Sequence, residues 1–181
     1  MSRKYKFHNK EGLYFVSFAT VCWLDVFTRD DYFQEVINTL TFCQENKGME
    51  IFAWCIMTNH VHLIFRAKGN NPSELMRSLK TYTSNNIQKH ISENNQESRK
   101  EWLLWMMEQA AKKSSNVKYR QFWRHDNKPI ELWSSEVIYQ KLNYIHMNPV
   151  VAGFVNQAEH WKYSSAVDFA GGKGLLELSE L

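Results

Sequence analysis

Three short segments in the first third of the chain are rich in β-branched and aromatic residues, a composition that favours strands. They are LYFVSFAT at 13–20, MEIFAWCIM at 49–57 and HVHLIFRA at 60–67. Only Thr58 and Asn59 separate the last two segments. We therefore expect those two segments to pair as a hairpin.

Apolar residues at helical spacing predict two long helices around these strands. The first begins at an aspartate cap, Asp30 or Asp31, and runs to about Lys47, where a glycine follows. The second covers 71–91 and begins with an asparagine cap followed by a proline, which suits the first position of a helix.

The second half of the chain is less regular. Residues 97–117 are predicted to form a helical elaboration, in which KEWLLWMMEQAA at 100–111 is a short, strongly apolar helix. KYRQFWR at 118–124 is expected to be extended. The last residues, 170–181, are expected to form a loose tail whose leucines dock against the domain.

A final helix is predicted from a serine cap, Ser134 or Ser135, to about Met147, because the residue before Pro149 should avoid the helical region. In chain order the elements are strand, helix, strand, strand, helix, strand and helix. That order predicts a single α+β domain over 1–181, with a ferredoxin-like antiparallel sheet and helices packed on one face.

The composition is that of a folded globular protein. Hydrophobic residues make up 44% of the 181 residues and aromatic residues 14%, which excludes a disordered chain. No apolar run approaches the length of a membrane span, and no signal-peptide pattern begins the chain, so a cytoplasmic location is expected. The three cysteines form no CxxC pair, so we expect buried thiols and no zinc knuckle.

Charge is unevenly distributed along the chain. Residues 66–124 contain twelve Lys or Arg against five Glu, a net charge of +7, whereas the whole chain carries only +3. A locally basic region is what binding to a polyanion requires. Charge alone fits equally well a pair of solvated helices with lysine-rich outer faces.

Two histidines lie one residue apart inside a predicted strand. Side chains alternate between the two faces of a strand, so His60 and His62 point to one face, and Val61 and Leu63 to the other. On this pattern alone the pair is either a metal-binding site or ordinary polar residues on a sheet face. The predicted final helix offers Lys141, Tyr144 and Asn148 on one face by their spacing, opposite an apolar stripe of Ile138, Leu142 and Ile145.

These residues lie in segments that resemble the motifs of a known family. TNHVHLIF at 58–65, followed by YIHMNPVVAGFV at 144–155 and WKYSSA at 161–166, resembles the single-tyrosine HUH transposases, and more narrowly the REP-associated tyrosine transposases of bacteria. HUH denotes two histidines separated by a large apolar residue. The resemblance covers nearly the whole chain and implies a ferredoxin-like fold, in agreement with the element order.

The resemblance also implies a reaction. Tyr144 would be the nucleophile, and His60, His62 and Asn148 would hold a divalent metal, Mg²⁺ or Mn²⁺. The activity would be cleavage and transfer of single-stranded DNA next to hairpins, through a covalent 5′-phosphotyrosine. His146 and Lys141 are both candidates for activating the tyrosine, and the sequence does not choose between them.

The basic middle of the chain would supply most of the DNA contacts. The predicted DNA-binding residues are Arg77, Lys80, Arg120, Trp123, Arg124 and Lys141. Arginine beside tryptophan suits single strands, because unpaired bases stack on rings while the backbone charge is neutralised. Whether Trp123 is a stacking platform or a core residue stays open, as does the choice between a monomer and a homodimer.

Two other functions remain open at this point. The chain could be a catalytically silent DNA hairpin-binding protein, or a different metal-dependent phosphoesterase. A phosphoesterase of the histidine-triad kind is disfavoured, because it needs another histidine after HVHL, where Ile64 and Phe65 stand. Tyr82 is a second candidate nucleophile, since it also lies on a predicted helix beside a lysine.

Overall fold

The computed structural model describes residues 6–69 and 71–181, and it contains a four-stranded antiparallel sheet. Its strands are β1 (Tyr14–Ala19), β2 (Met49–Ile56), β3 (His60–Ala67) and β4 (Ile130–Glu131). They lie in the order β2-β3-β1-β4, and each pairs antiparallel with its neighbour. This is the ferredoxin-like sheet that the element order predicts.

Five α-helices accompany the sheet within the described residues: α1 (Asp30–Lys47), α2 (Pro72–Glu93), α3 (Lys100–Lys112), α4 (Ser135–Val151) and α5 (Ala166–Phe169). Local sequence explains several of their ends. The Asn71 side chain accepts a hydrogen bond from the Ser73 amide at the start of α2, as predicted. Gly48 ends α1 in the left-handed region, with a φ of 65°.

The two faces of the sheet are covered by different helices. α1 and α2 pack together over one face, where Val16, Trp54 and Leu63 are completely buried. α4 packs on the other face against β2 and β3, and there Ile145 joins Phe15 in a second apolar cluster. The α+β fold is therefore as predicted, and the face that the two long helices leave free receives the final helix.

Two predicted helix ends shift. α4 continues through Pro149 to Val151 instead of stopping near Met147, so Asn148 lies inside the helix and not at its end. Pro149 and Ile145 are both buried, and this packing offsets the hydrogen bond that a proline cannot donate. At the start of α1 the cap position is Arg29, one residue before the predicted aspartates.

The segment 118–124 does not form a regular strand. Trp123 makes one isolated bridge to Thr20 at the end of β1, and the paired strand β4 comes later, at Ile130–Glu131. The predicted helix at 100–111 is present as α3 and contributes Leu103 and Met107 to the core.

The C-terminal tail docks through a leucine, as the sequence suggests. Leu176 is buried in the main core, and the Ser179 amide donates a hydrogen bond to the Ile51 carbonyl. Cys22 corrects the expectation of three buried thiols, because it is exposed while Cys43 and Cys55 are buried. Within the described residues, every helix is too short or too polar to cross a membrane.

Candidate metal and tyrosine site

β3 places the two histidines on the face that α4 covers. Val61 and Leu63 point into the core under α1 and α2, while the rings of His60 and His62 lie side by side, with centroids 4.7 Å apart. His62 is almost completely buried and stacks on Phe15 of β1, at 5.6 Å between ring centroids. The predicted shared orientation of the two imidazoles is therefore present in the fold.

A short chain of hydrogen bonds orients the ring of His60. Its Nδ1 lies 2.7 Å from Oδ1 of Asn59, and Nδ2 of Asn59 donates to a carboxylate oxygen of Asp25 at 2.9 Å. Because that amide oxygen accepts, Nδ1 of His60 carries the proton, and the lone pair lies on Nε2. Burial lowers the pKa of His60, against the opposing effects of Asn148 and Asp25.

His62 has a different environment. Its Nε2 lies 3.1 Å from the side-chain nitrogen of Asn148 on α4. Its Nδ1 is buried and has no hydrogen-bond partner among the described residues. Burial, with the neighbouring charges of His60 and Lys141, lowers the pKa of His62 to about 3, so the ring is neutral at neutral pH.

Tyr144 lies beside this pair. Its ring centroid is 5.2 Å from that of His62 and 6.0 Å from that of Phe15, and the side chain is 48% exposed. Nζ of Lys141 lies 5.6 Å from the Tyr144 ring and 5.1 Å from the Phe15 ring. The helical spacing of Lys141, Tyr144 and Asn148 thus presents all three at one site, as predicted.

The donor set fits a divalent cation. Two neutral imidazoles lie against the side-chain amide of Asn148, which turns its nitrogen towards Nε2 of His62. A half-turn of that amide would bring its oxygen beside the two ring nitrogens as a third donor. The hydrogen-bonded amide behind His60 is the support that metal-ligating histidines commonly have. No group of three His, Cys, Asp or Glu side chains with metal-binding geometry occurs in residues 6–69 and 71–181, so a cation here would depend on Asn148.

The structure separates the two candidate activators of the tyrosine. His146 is buried, its Nε2 lies 2.9 Å from Oγ of Ser165, and its ring contacts Phe169. Burial lowers its pKa to about 4. His146 therefore fastens the C-terminal segment to α4, and Lys141 is the candidate that contacts Tyr144.

Comparison with known proteins places the chain in a family. The family model described as "Transposase IS200 like" matches residues 18–125, more than half of the chain. The chain belongs to the IS200-like transposase family. The matched stretch includes both histidines but ends before Tyr144 and Asn148, so the family match itself says nothing of those two residues.

Two individual proteins resemble this IS200-like chain over most of its length. A Haemophilus influenzae protein with the provisional name REP-associated tyrosine transposase is 27% identical over 174 residues, which cover 91% of this chain and 85% of that protein. A solved structure, described as a REP-associated tyrosine transposase bound to a REP hairpin, superimposes with a TM-score of 0.66 at 18% identity. It covers all of this chain and 95% of the other, and it shows that the fold is shared.

Five of the six predicted DNA-binding residues line one groove of about 840 Å³, formed by α2 and the segment 116–129. They are Arg77, Lys80, Arg120, Trp123 and Arg124. Lys141, the sixth, lies instead beside Tyr144. The groove gives the basic middle of the chain a continuous surface, although three of the five residues have other partners.

Three of these residues contact other groups of the protein, which corrects part of the predicted DNA-binding set. Trp123 is 5% exposed, donates its indole N–H to Thr83 at 2.9 Å and packs in the core, so its ring is not available to a base. Lys80 donates to the Arg124 carbonyl at 2.6 Å, and burial lowers its pKa to about 8. Arg120 pairs with Glu108 at 3.0 Å, which leaves Arg77 and Arg124 as the exposed cations of the predicted set in the groove.

A different tryptophan lies at the site, and the sequence did not indicate it. Trp23 is 52% exposed, and its ring centroid is 5.8 Å from that of His60. It follows a strand and carries no motif, so local sequence offers no reason to select it. Tyr82, the second candidate nucleophile, is 62% exposed on α2, which packs on the opposite face of the sheet from the histidines.

Proposed function

We propose that this chain is a metal-dependent single-stranded DNA transesterase that cleaves and rejoins hairpin-containing DNA through Tyr144. The observation that carries the proposal is the contact of Tyr144 and Asn148 with His62, since one chain brings together a phenol, an amide and two neutral imidazoles. Membership of the transposase family supports strand transfer as the class of reaction.

In the proposed reaction, the phenolic oxygen of Tyr144 attacks the phosphorus of a phosphodiester in single-stranded DNA. The bond to the 3′-oxygen breaks and a 5′-phosphotyrosine forms, while the proton that the phenol gives up is balanced by the proton that the leaving oxygen takes up to become a free 3′-hydroxyl. One phosphodiester replaces another, so a second 3′-hydroxyl can reverse the step and join new strands without ATP. Lys141 lies over the Tyr144 ring, where its charge would stabilise the negative charge that develops in the transition state.

His60, His62 and Asn148 would hold the divalent cation, Mg²⁺ or Mn²⁺. A cation bound there would polarise the scissile phosphate and stabilise the charge that develops in the transition state. Asn59 and Asp25 keep the ring of His60 in the tautomer that such a ligand requires. Burial keeps both imidazoles neutral, and therefore free to act as ligands, at neutral pH.

The basic groove is the proposed surface for the DNA. Arg77 and Arg124 are exposed along it and can neutralise backbone phosphates. The solved relative is described as bound to a REP hairpin, and by analogy we propose a hairpin with an unpaired flank as the substrate of this chain.

The test is a labelled single-stranded oligonucleotide that contains a hairpin, incubated with the protein and Mg²⁺ or Mn²⁺. We expect a covalent protein–DNA adduct that resists denaturation and disappears in Tyr144→Phe or in excess EDTA. Tyr82→Phe is the matched control, because it removes the hydroxyl of another half-exposed helical tyrosine and should leave the adduct unchanged. A protein that binds the DNA but never forms the adduct would be a silent hairpin binder.

A further inference from the structure

Trp23 lies where the basic groove meets the candidate metal site. Arg124, which lines the groove, places its guanidinium carbon 5.5 Å from the centroid of the Trp23 ring. The same ring makes an edge-to-face contact with His60, at 5.8 Å between centroids. An exposed indole therefore connects the groove on one side of the sheet to the histidines on the other.

The backbone that presents this indole is in an unfavourable conformation. Cys22 and Trp23 both have a φ of 54°, in the left-handed region that residues with a side chain rarely adopt. Consecutive residues of this kind persist only where the surrounding structure imposes them, and they are concentrated at functional sites. Here the hydrogen bonds of Thr20 Oγ1 to the carbonyls of Leu24 and Asn59 close the turn.

Other exposed tryptophans do not share this setting. Trp102 and Trp105 lie on α3, and Trp133 precedes α4, where it is 81% exposed. Among the described residues, Trp23 is the tryptophan that combines an exposed ring, an arginine over that ring and contact with a histidine of the site. Proteins hold unpaired bases by stacking them on exposed aromatic rings, with cation–π contributions from arginine.

We infer that Trp23 is a base-stacking platform, which holds an unpaired nucleotide of the DNA between the basic groove and His60. Arg124 would neutralise the adjacent phosphate while it steadies the indole. The ligand class is single-stranded nucleic acid with an unpaired base beside the scissile phosphate. This inference rests on the proposed function, since it assigns a further contact with the same substrate.

Binding measured in EDTA tests the inference without any catalytic step. A fluorescent hairpin oligonucleotide with an unpaired flank is titrated with the protein and with Trp23→Ala, Trp23→Leu and Trp23→Phe. We expect Ala and Leu to weaken binding by roughly 5- to 100-fold, as the loss of one base stack does, and Phe to retain most of the affinity. Trp133→Ala, which removes an exposed indole away from the site, should bind like the unmodified protein.

A second readout locates the stacked base. 2-Aminopurine is placed at successive positions of the flank, and we expect its fluorescence to be quenched at one position next to the cleavage site. Trp23→Leu should abolish that quenching, while a blunt hairpin without the flank should bind all variants equally. The Leu variant keeps an apolar side chain, and thermal unfolding checks that each variant is folded.

The outcomes separate this inference from the proposed function. If the protein binds the flanked hairpin and forms the adduct, but Trp23→Leu binds and quenches like Trp133→Ala, the platform is refuted and the transesterase stands. If Trp23→Leu weakens binding as expected but no adduct ever forms, the platform stands and the proposed chemistry fails. If Trp23→Phe loses as much affinity as Trp23→Ala, a ring is not what the site requires, and the inference is wrong.

Discussion

Both faces of β3 bury apolar residues, but only the face that α4 covers also carries the two histidines, next to the fully buried Ile64. One face presents Val61, Leu63 and Phe65 to α1 and α2, and all three are completely buried in apolar surroundings. The other face presents His60 and His62 to α4, and there a ring nitrogen of His62 is buried with no hydrogen-bond partner in residues 6–69 and 71–181. The first face stabilises the fold, whereas the second carries polar groups whose burial lowers stability.

This difference indicates that the helices on the two faces have different roles. α1 and α2 complete the core, while α4 packs its apolar side near Ile145 and brings Tyr144 and Asn148 to the histidines. A buried polar group without a partner costs free energy, and its persistence in a fold points to a function. Substitutions on the two faces should therefore separate activity from stability.

The largest effect is expected for His62→Leu. Loss of a proposed metal ligand should lower the rate of adduct formation by about a hundredfold or more, because metal stabilisation of transition-state charge is worth several kcal/mol. The free energy of unfolding should stay the same or rise, since the substitution removes a buried ring nitrogen that has no hydrogen-bond partner in the described part of the chain. Adduct kinetics measure the rate, and urea unfolding measures the free energy of unfolding. A His62→Leu variant that is less stable but still forms the adduct would show that the roles given to the two faces are wrong.

Leu63→Ala should give the opposite result on the other face. Removing a completely buried leucine side chain should lower the free energy of unfolding by about 3 kcal/mol, through lost burial and the cavity left behind. The folded fraction should form the adduct at an undiminished rate. Val151→Ala, at an 83% exposed position, is the control and should change neither quantity. Equal losses for Leu63→Ala and the control would show that this face does not support the core.

The next prediction concerns His146 on α4 and the dependence of the free energy of unfolding on pH. Its pKa falls from the ordinary value of 6.5 to about 4 in the folded protein, so the unfolded chain binds more protons between these values. The contribution of this residue to stability should therefore be fully present above pH 6.5 and should be lost as the pH falls towards 4, by about 3 kcal/mol.

His146→Gln should flatten that decline, as measured by urea unfolding at several pH values. A residual slope is expected from His62, whose pKa is also depressed. His90→Gln, on the exposed surface of α2, should leave the profile unchanged. An unaltered acid sensitivity in His146→Gln would show that this histidine is not buried in its neutral form.

The smallest effect is expected for Asn59→Ala, which removes the support behind His60. Loss of a hydrogen-bonded group behind a metal-ligating histidine typically lowers metal affinity by tenfold or more. We therefore expect half-maximal adduct formation to need about a tenfold higher concentration of Mn²⁺. Saturating Mn²⁺ should restore the rate. Asn46→Ala, at the exposed end of α1, is the control. A loss of adduct formation in Asn59→Ala that excess Mn²⁺ does not rescue would argue against a positioning role for Asn59.

Local sequence predicted the parts of this site that follow from local geometry. Alternation along β3 placed His60 and His62 on one face, and helical spacing placed Tyr144 and Asn148 together on α4. The packing of α4 against that same face depends on contacts distant in sequence. Only the resemblance to a family of transposases indicated that the two pairs would meet.

The errors in the prediction have tertiary causes. Trp23 and Trp123 look equivalent in the sequence, but Phe18, Phe27 and Thr83 enclose Trp123, while a left-handed turn exposes Trp23. No glycine marks that turn, so the sequence did not reveal it. The continuation of α4 through Pro149 was likewise missed, because burial against the sheet face overrides the local preference of a residue before proline.

The most direct measurement of the central claim is to locate the attachment of the DNA by mass spectrometry. After reaction with the hairpin oligonucleotide and Mn²⁺, the adduct is digested with protease and nuclease, and the modified residue is identified. The account predicts a nucleotide mass on Tyr144, absent from the reaction with EDTA. A nucleotide on Tyr82 or on any residue other than Tyr144, or DNA cleavage without any attached nucleotide, would contradict it.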